Sequence, residues 1–188
     1  MGARYAAPAS PTTARDVDAR PRDGIPSLHA SSDDPGPGAP RVRAARLVDL
    51  DPVTLHDLLR LRVDVFVVEQ ECAYPELDGR DADGTTEHLW VEADGTPVAT
   101  LRLLTDGDGA RRIGRVATAR GHRGQGYADA LVREALRRSG GAEVVLDAQT
   151  YLEGWYARFG FVRTGPDFVE DGIPHLPMGR AGGGAAST

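Results

Sequence analysis

This 188-residue sequence has no lysine, only one cysteine and no long apolar run. All 22 basic residues are therefore arginine, a bias that we attribute to GC-rich codons rather than to mechanism. Cys72 has no second cysteine with which to form an internal disulfide. No apolar run approaches the roughly 18 to 20 residues that span a bilayer, and residues 1–9 lack the apolar segment of a secretory signal. We therefore expect a cytoplasmic protein that does not act at a membrane.

Positive charge is scarce relative to negative charge. The 28 acidic residues outnumber the 22 arginines, which gives a formal net charge of −6 at pH 7. Proteins that bind nucleic acid normally present a basic surface. The charge balance therefore predicts no nucleic-acid partner and fits a basic or neutral substrate better. The length corresponds to one domain with a substantial hydrophobic core.

The two ends of the chain differ in composition from the middle. Residues 1–40 consist mainly of Ala, Pro, Ser, Asp, Gly and Arg, and "AGGGAAST" closes the sequence. Such segments carry too few large apolar side chains to offset the entropy lost on ordering. We predict a disordered N-terminal tail over residues 1–40, a folded domain over 41–180 and a flexible C-terminal tail over 181–188.

The domain alternates between strand-like and helix-like patterns. Asp51 followed by Pro52 is typical of a helix start, because Asp caps the first turn and Pro fits its first position. Asp94-Gly95 between two apolar runs predicts a β-hairpin. The full pattern predicts the order β, α, β, β, β, α, β, α, β, β, and hence an α/β (α+β) fold.

The most informative stretch is "IGRVATARGHRGQGYADALVREAL", in which a strand runs through a glycine-bearing loop into an amphipathic helix. Glycines let backbone amides approach a phosphate, and a helix N-terminus adds partial positive charge. The loop lacks the Gly-Lys-Ser/Thr of a Walker motif, and Gly124-x-Gly126 lacks the third glycine of a dinucleotide fingerprint. It is therefore a candidate anion-binding loop of another type.

These residues resemble the GNAT superfamily of N-acetyltransferases. "RVATARGHRGQGYADALV" is similar to the family's strand and pyrophosphate loop, and "GWYARFGF" is similar to its second signature. "RLRVDVFVVEQECAYPELDGRD", "GRV" and "EDGIPHLPM" resemble the ElaA-like subgroup. The resemblance covers residues 41–180 and implies a mixed, mostly antiparallel central sheet flanked by helices, with acetyl-CoA as co-substrate.

The resemblance also implies roles for single residues. Backbone groups of Val116 and Thr118, on either side of Ala117, would pair with the pantetheine arm. Gln149 stands where the family often has an asparagine that contacts the cofactor, and Tyr156 matches the tyrosine that commonly protonates the leaving thiolate. The residues implied to hold the pyrophosphate are Arg123, Gly124, Gln125, Gly126, Tyr127 and Ala128.

Acyl transfer also needs a base, because an amine is mostly protonated at neutral pH and only its free form attacks a thioester. The family often finds this base on the strand occupied here by "IGRVAT", which carries no carboxylate. The candidates are Glu69, Glu87, His88, His175 and an ordered water, and we name Glu69 and His88 as catalytic beside Tyr156. No metal site is predicted.

One segment, residues 69–87, is strongly acidic and is called the acidic segment below. It contains seven acids and one arginine, Arg80. Aligning Gly84 with the glycine of a calcium-binding EF-hand puts Gly79 and Trp90 at positions that require carboxylates, so that motif is excluded. Two interpretations stay open: a solvated loop, or a mouth that attracts an ammonium substrate.

Two functions follow from these observations. The first is acetyl transfer from acetyl-CoA to the amine of a small molecule or peptide, by a monomer or homodimer. The second is a non-catalytic acyl-CoA sensor that keeps the loop and lacks the chemistry. Transfer of longer acyl chains, or synthesis of an acyl-homoserine lactone, is a further variant that depends on pocket depth.

Overall fold

The computed structural model describes residues 40–183. The tail predicted at residues 1–40 lies outside this range except for Pro40, and residues 184–188 lie outside it too, so both tails stay predictions. The predicted domain, residues 41–180, lies wholly within the described range.

Eight strands and three α-helices make up the described chain, joined by short turns. The strands are β1 (Val42–Ala45), β2 (Glu87–Ala93), β3 (Thr96–Thr105), β4 (Arg111–Thr118), β5 (Val144–Gln149), β6 (Val162–Arg163), β7 (Phe168–Glu170) and β8 (Ile173–Arg180). The helices are α1 (Pro52–Arg62), α2 (Tyr127–Arg138) and α3 (Glu153–Ala157). A π-helical segment, Val63–Glu69, continues α1. The sequence pattern missed β7, although Asp171-Gly172 after it carries the same turn signal as Asp94-Gly95.

All the strands form one sheet in the order β1-β2-β3-β4-β5-β8-β6, and β7 also pairs with β8. Every pairing is antiparallel except that between β4 and β5. The prediction of a mixed, mostly antiparallel sheet flanked by helices is confirmed.

Local signals place α1 and the first hairpin. The Asp51 side chain accepts hydrogen bonds from the backbone amides of Val53 and Thr54, both at 3.0 Å, which satisfies two amides of the first turn. Asp94 and Gly95 have φ angles of 49° and 75°, as a tight hairpin turn requires. Both predictions made from these residues are confirmed.

Strand β3 lies at the centre of the domain and is covered on both faces. Its alternate residues Ala99, Leu101 and Leu103 join the main core cluster with α2 and α3. Arg102 points to the other face, where it and Arg62 of α1 both bind the carboxylate of Asp81. Since successive side chains of a strand point to opposite faces, the sheet has α2 and α3 on one face and α1 with the acidic segment on the other.

Candidate active site

Strands β4 and β5 separate soon after they pair. Only Arg111 with Val144 and Arg112 with Val145 are matched. Beyond these two pairs each strand continues for several residues toward its carboxyl end, to Thr118 and Gln149 respectively. The sheet therefore has an opening in which the facing edges of β4 and β5 are not paired with each other.

A cavity of about 840 Å³ occupies this opening. Successive residues of each strand line it, Arg112 to Val116 on β4 and Leu146 to Gln149 on β5. Side chains of a strand alternate between faces, so a run of successive lining residues means that the cavity follows the strand edge. Edges of this kind offer backbone N–H and C=O groups to a ligand.

The same cavity is lined from both faces of the sheet. Leu152 and Tyr156 come from the α3 side, whereas Phe66, Tyr74 and Pro75 come from the side of α1 and the acidic segment. The opening between β4 and β5 therefore passes through the sheet. Two molecules can reach its middle from opposite faces.

The glycine loop, residues 119–126, follows the carboxyl end of β4 and leads into α2. Gly124 and Gly126 have φ angles of 76° and 80°, a conformation that favours glycine. Gly126 caps α2 without any side-chain hydrogen bond from residues 40–183. The amides of the first turn of this 12-residue helix are thus available to an anion. Both glycines are exposed.

Arg123 and Glu69 join the glycine loop to the end of the π-helical segment. The guanidinium donates to both Glu69 oxygens at 2.7 and 2.8 Å, and its Nε donates to the carbonyl of Thr118 at 3.1 Å. Hydrogen bonding to Arg123 lowers the pKa of Glu69. In this structure Arg123 braces the loop, which leaves anion contact chiefly to the backbone amides.

Tyr156 lies in α3 at the inner wall of the cavity and is 5% exposed. Its ring packs edge-on against Trp155 and Phe161, with centroids 4.7 and 6.0 Å away. Burial raises the pKa of the Tyr156 hydroxyl, because the low-dielectric surroundings disfavour phenolate. The phenol therefore stays protonated at neutral pH, as a proton donor must.

Two hydrogen bonds join segments that line the cavity. Gln149 at the end of β5 donates to the side-chain oxygen of Gln70 at 3.4 Å, so it reaches across to the segment after the π-helix. The Cys72 thiol donates to the backbone carbonyl of Asp171 at 3.4 Å, which ties the acidic segment to the β7–β8 turn. Burial raises the pKa of this thiol, and Cys72 remains a neutral packing group.

A model of the acetyltransferase (GNAT) domain family matches residues 55–181. The chain belongs to the GNAT acetyltransferase family. A UPF0039 protein of Mycobacterium tuberculosis is 51% identical over 140 residues, which cover 72% of this chain and 90% of that protein. The crystal structure of an acyl-CoA N-acyltransferase from Pseudomonas aeruginosa matches this chain with a TM-score of 0.72 at 41% sequence identity. The match covers 76% of this chain and 100% of that one.

ElaA of Escherichia coli is 36% identical over 138 residues, which cover 70% of this chain and 90% of ElaA. Its crystal structure matches with a TM-score of 0.71 at 32% identity, covering 76% of this chain and 99% of that one. The resemblance to the GNAT superfamily and its ElaA-like subgroup is thus confirmed.

Of the base candidates named from the sequence, His175 is the one that lines the cavity. It lies on β8 opposite Gln149, lines the same cavity as Tyr156, and stacks on Phe168 with centroids 5.9 Å apart. Its Nδ1 is 2.8 Å from the carbonyl of Ile173. A carbonyl only accepts, so in the neutral imidazole Nδ1 carries the proton and the lone pair is on Nε2.

The geometry does not favour the two bases named from the sequence. Glu69 accepts hydrogen bonds from Nη1 and Nη2 of Arg123, and its lowered pKa makes it a weak proton acceptor. His88 is 2% exposed, contacts the carbonyl of Asp81 at 3.4 Å and lies outside the cavity lining. Burial lowers the pKa of His88. Glu87 is paired with Arg111 and Arg138.

The other predicted cofactor residues are distributed over four places. Val116 and Gln149 line the cavity, whereas Ala117 is buried in a small cluster with Leu61 and Val65. Gly124 and Gly126 lie in the exposed loop beyond β4. Gln125 and Tyr127 border a separate cavity of about 570 Å³ beside β1 and β2.

Sequence reasoning missed a buried network between the acidic segment and the arginines of neighbouring elements. Asp81 accepts from Arg62 at 2.7 and 3.1 Å and from Arg102 at 3.1 Å. Arg102 also binds both oxygens of Asp78, at 2.8 and 2.7 Å, and Arg62 binds Glu76. The interpretation of a solvated loop is wrong for Asp81 and Glu76, which are 6% and 3% exposed. The available signal was Arg62 itself, an arginine on an apolar helical stripe.

Within residues 40–183, no group of three or more His, Cys, Asp or Glu side chains is arranged to hold a metal ion. None of the helices described there is long and apolar enough to cross a membrane.

Proposed function

We propose that this GNAT domain transfers an acetyl group from acetyl-CoA to an amine by direct attack inside a ternary complex. The cavity that passes through the sheet between the open edges of β4 and β5 carries this proposal. An extended arm that contains amide groups, such as pantetheine, suits such edges because it can exchange backbone-type hydrogen bonds with them.

The donor would enter from the α2 and α3 side. Its pyrophosphate would meet the amides of the glycine loop and the N-terminus of α2, and its pantetheine arm would follow Val116 toward the middle of the sheet. The thioester would then lie beside Tyr156, at the inner wall of the cavity. The acceptor amine would enter from the face of α1 and the acidic segment.

The reaction requires that nitrogen lose two protons and that sulfur gain one. The neutral amine nitrogen attacks the thioester carbonyl, the C–S bond breaks, and the thiolate takes a proton from the Tyr156 hydroxyl. The nitrogen, positively charged after the attack, loses a proton to become the amide, and that proton would return to Tyr156 through water. His175 Nε2 would remove the proton that the ammonium must lose, directly or through one water. The products are the amide, CoA with a free thiol, and a proton released to solvent.

An amine-panel assay tests this function. The protein is incubated with acetyl-CoA and small primary amines, amino acids and basic peptides, and free thiol is measured against hydrolysis without amine. Product mass should increase by one acetyl group with at least one acceptor. Acetyl-CoA binding without any amine-dependent thiol release across the panel would instead support the sensor, which needs no opening on the second face.

His175→Gln tests the assignment of the base. We expect kcat/KM at pH 7 to fall by about 10²-fold, because glutamine retains a hydrogen-bonding group but cannot take the proton. The deficit should narrow as the pH approaches the pKa of the amine, since solvent then supplies free amine. His56→Gln, on the exposed side of α1, is the matched control. An equal deficit at every pH would argue against a base role for His175.

A further inference from the structure

Strand β4 contains a bulge at the edge of the cavity. Thr100 pairs with Ala117 and Arg102 pairs with Gly114, so Arg115 and Val116 together face the single residue Leu101. An extra residue of this kind interrupts the ladder and leaves backbone groups without a partner strand. Gly114, Arg115 and Val116 all line the cavity. The interrupted backbone is therefore exposed to whatever occupies the site.

Arg115 adopts the left-handed conformation in this bulge, with φ at 54°. Residues with a Cβ rarely adopt this conformation, because it is strained for them. Such a conformation persists only where surrounding contacts fix it. The side chain of Arg115 makes the contacts that can do so.

Three residues of the acidic segment hold the Arg115 guanidinium. Its Nε lies 2.7 Å from Glu76 Oε2, its Nη2 donates to Asp78 at 3.3 Å, and the Tyr74 ring lies beneath it at 5.2 Å. Glu76 is buried and is also bound by Arg62 of α1. Arg115 is therefore held to a partner that is itself fixed from the opposite side.

We infer that Arg115 is a positioning residue for acyl transfer: its ion pairs with Glu76 and Asp78 hold β4 in the bulged conformation that places the Val116 backbone beside the donor thioester. The inference rests on the proposed function. In this role the acidic segment supports the donor site, in addition to forming a wall of the acceptor side.

The contact between Arg115 and the acidic segment also explains why two separate sequence features occur together. "GRV" carries Arg115, and "ECAYPELDGRD" carries its three partners. Neither Arg115 nor its three partners has a role in the chemistry described above. Their contact joins a segment on one face of the sheet to the strand edge that the donor follows.

Arg111 provides a matched comparison on the same strand. It is a similarly buried arginine and forms an ion pair with Glu87 at 2.8 Å. It has no positive φ and does not line the cavity. Arg111→Ala therefore removes an ion pair from β4 without touching the bulge.

The experiment compares Arg115→Ala, Arg115→Gly and Arg111→Ala on the best amine of the panel. We expect Arg115→Ala to lower kcat by about 10- to 100-fold, because small misplacement of reacting groups is costly, with acetyl-CoA affinity changed less than about twofold. Arg115→Gly should recover most of that loss, since glycine adopts positive φ without strain. Arg111→Ala should keep wild-type kcat. If Arg115→Gly is as slow as Arg115→Ala, the guanidinium acts by itself and the positioning role is wrong.

A second measurement does not depend on an acceptor. In wild type, the Val116 amide resonance in a ¹H–¹⁵N spectrum should shift differently with acetyl-CoA than with CoA. That difference should disappear in Arg115→Ala and return in Arg115→Gly. Arg115→Lys, which keeps the charge beside Glu76 but not the planar fork, replaces Arg115→Ala if the latter fails to fold, and the same loss is expected. If the Val116 shift difference is lost and recovered in this way but no amine in the panel is acetylated, the proposed function alone is overturned. If the Val116 shift difference persists in Arg115→Ala or Arg115→Lys, the inference is overturned.

Discussion

The two loops that meet strand β4 are opposite in their polar chemistry. The glycine loop, residues 119–126, is exposed, and no side chain of the described chain caps the helix that follows it. The acidic segment, residues 69–87, is rich in charge, yet its central carboxylates are bound by arginines of α1, β3 and β4.

This difference suits the glycine loop to ligand binding and the acidic segment to holding the chain in position. Backbone amides without partners can still take up a ligand, and a loop that presents them is suited to recognition. Carboxylates already bound by buried arginines cannot attract a distant ammonium ion, but they fix the position of the chain that carries them. The acidic composition of residues 69–87 therefore indicates internal pairing more than an attractive surface.

The largest effect is expected at Tyr156, the proposed proton donor. Tyr156→Phe removes one hydroxyl and keeps nearly all the packing volume. We expect kcat to fall by about 10²- to 10⁴-fold, the usual contribution of general acid catalysis, with acetyl-CoA affinity roughly preserved. Turnover and calorimetry on a good acceptor test this. Turnover within about twofold of wild type, with chemistry rate-limiting, would assign thiolate protonation to water.

The next largest effect concerns the glycine loop. Gly126→Val should weaken acetyl-CoA binding at least about tenfold, or about 1.4 kcal/mol, because the side chain obstructs the approach of phosphate and valine resists positive φ. Calorimetry measures the affinity directly.

Gly109→Val is the matched control for Gly126→Val. Gly109 has φ of +88° in the β3–β4 turn, and, as at Gly126, a Cβ would meet no described atom within 4 Å. The two variants should lose similar stability, and only Gly126→Val should lose affinity. Equal affinities in two folded variants would remove the glycine loop from the donor site.

A smaller effect is expected in the acidic segment. Hydrogen bonding to Arg102 lowers the pKa of Asp78 to about 2. Since this is below the usual value of 3.8, Asp78 stabilises the fold above about pH 4, and the contribution disappears as pH falls toward 2. Asp78→Asn should therefore cost about 1 kcal/mol at pH 7, because solvent screens this exposed residue, and progressively less below pH 4.

Urea unfolding at pH 7, 5, 4 and 3 measures this pH dependence. Asp83→Asn serves as the control because the Asp83 side chain is 57% exposed and lies 3.9 Å from Arg80, a surface pair worth about 0.5 kcal/mol. A constant difference between Asp78→Asn and wild type across this range would show that the Asp78 charge is not what stabilises the segment.

The smallest effect is expected outside both loops. Removing residues 1–39 should leave the melting temperature and acetyl-CoA affinity nearly unchanged, because their composition predicts no packed structure. Thermal unfolding and calorimetry of the shortened chain check this. A large loss in either would make the segment part of the domain or its site.

Features with local causes were predictable from the sequence. The Asp51 cap, the Asp94-Gly95 turn and the strand, loop and helix around Gly124 and Gly126 each depend on a few neighbouring residues. The resemblance to GNAT proteins added a mixed, mostly antiparallel sheet flanked by helices and singled out Tyr156 and Val116, which do line one cavity. Their catalytic and binding roles stay predictions.

Features with distant causes were not predictable. The contact between Cys72 and Asp171 joins residues 99 positions apart in the chain. The availability of each base candidate also depends on residues that are distant in the chain. Glu69 is bound by Arg123, 54 residues away, and His88 is enclosed by a network whose members come from three elements.

By itself the sequence determined most of the strands and helices and the position of the glycine loop, and its motifs singled out Tyr156 as a candidate acid, because periodicity, turn chemistry and motifs act over short distances. Only the tertiary structure decided which charges are free. An acid at the surface and an acid bound to a buried arginine look alike in a sequence. Their difference arises from burial and pairing between elements that meet only when the sheet is assembled.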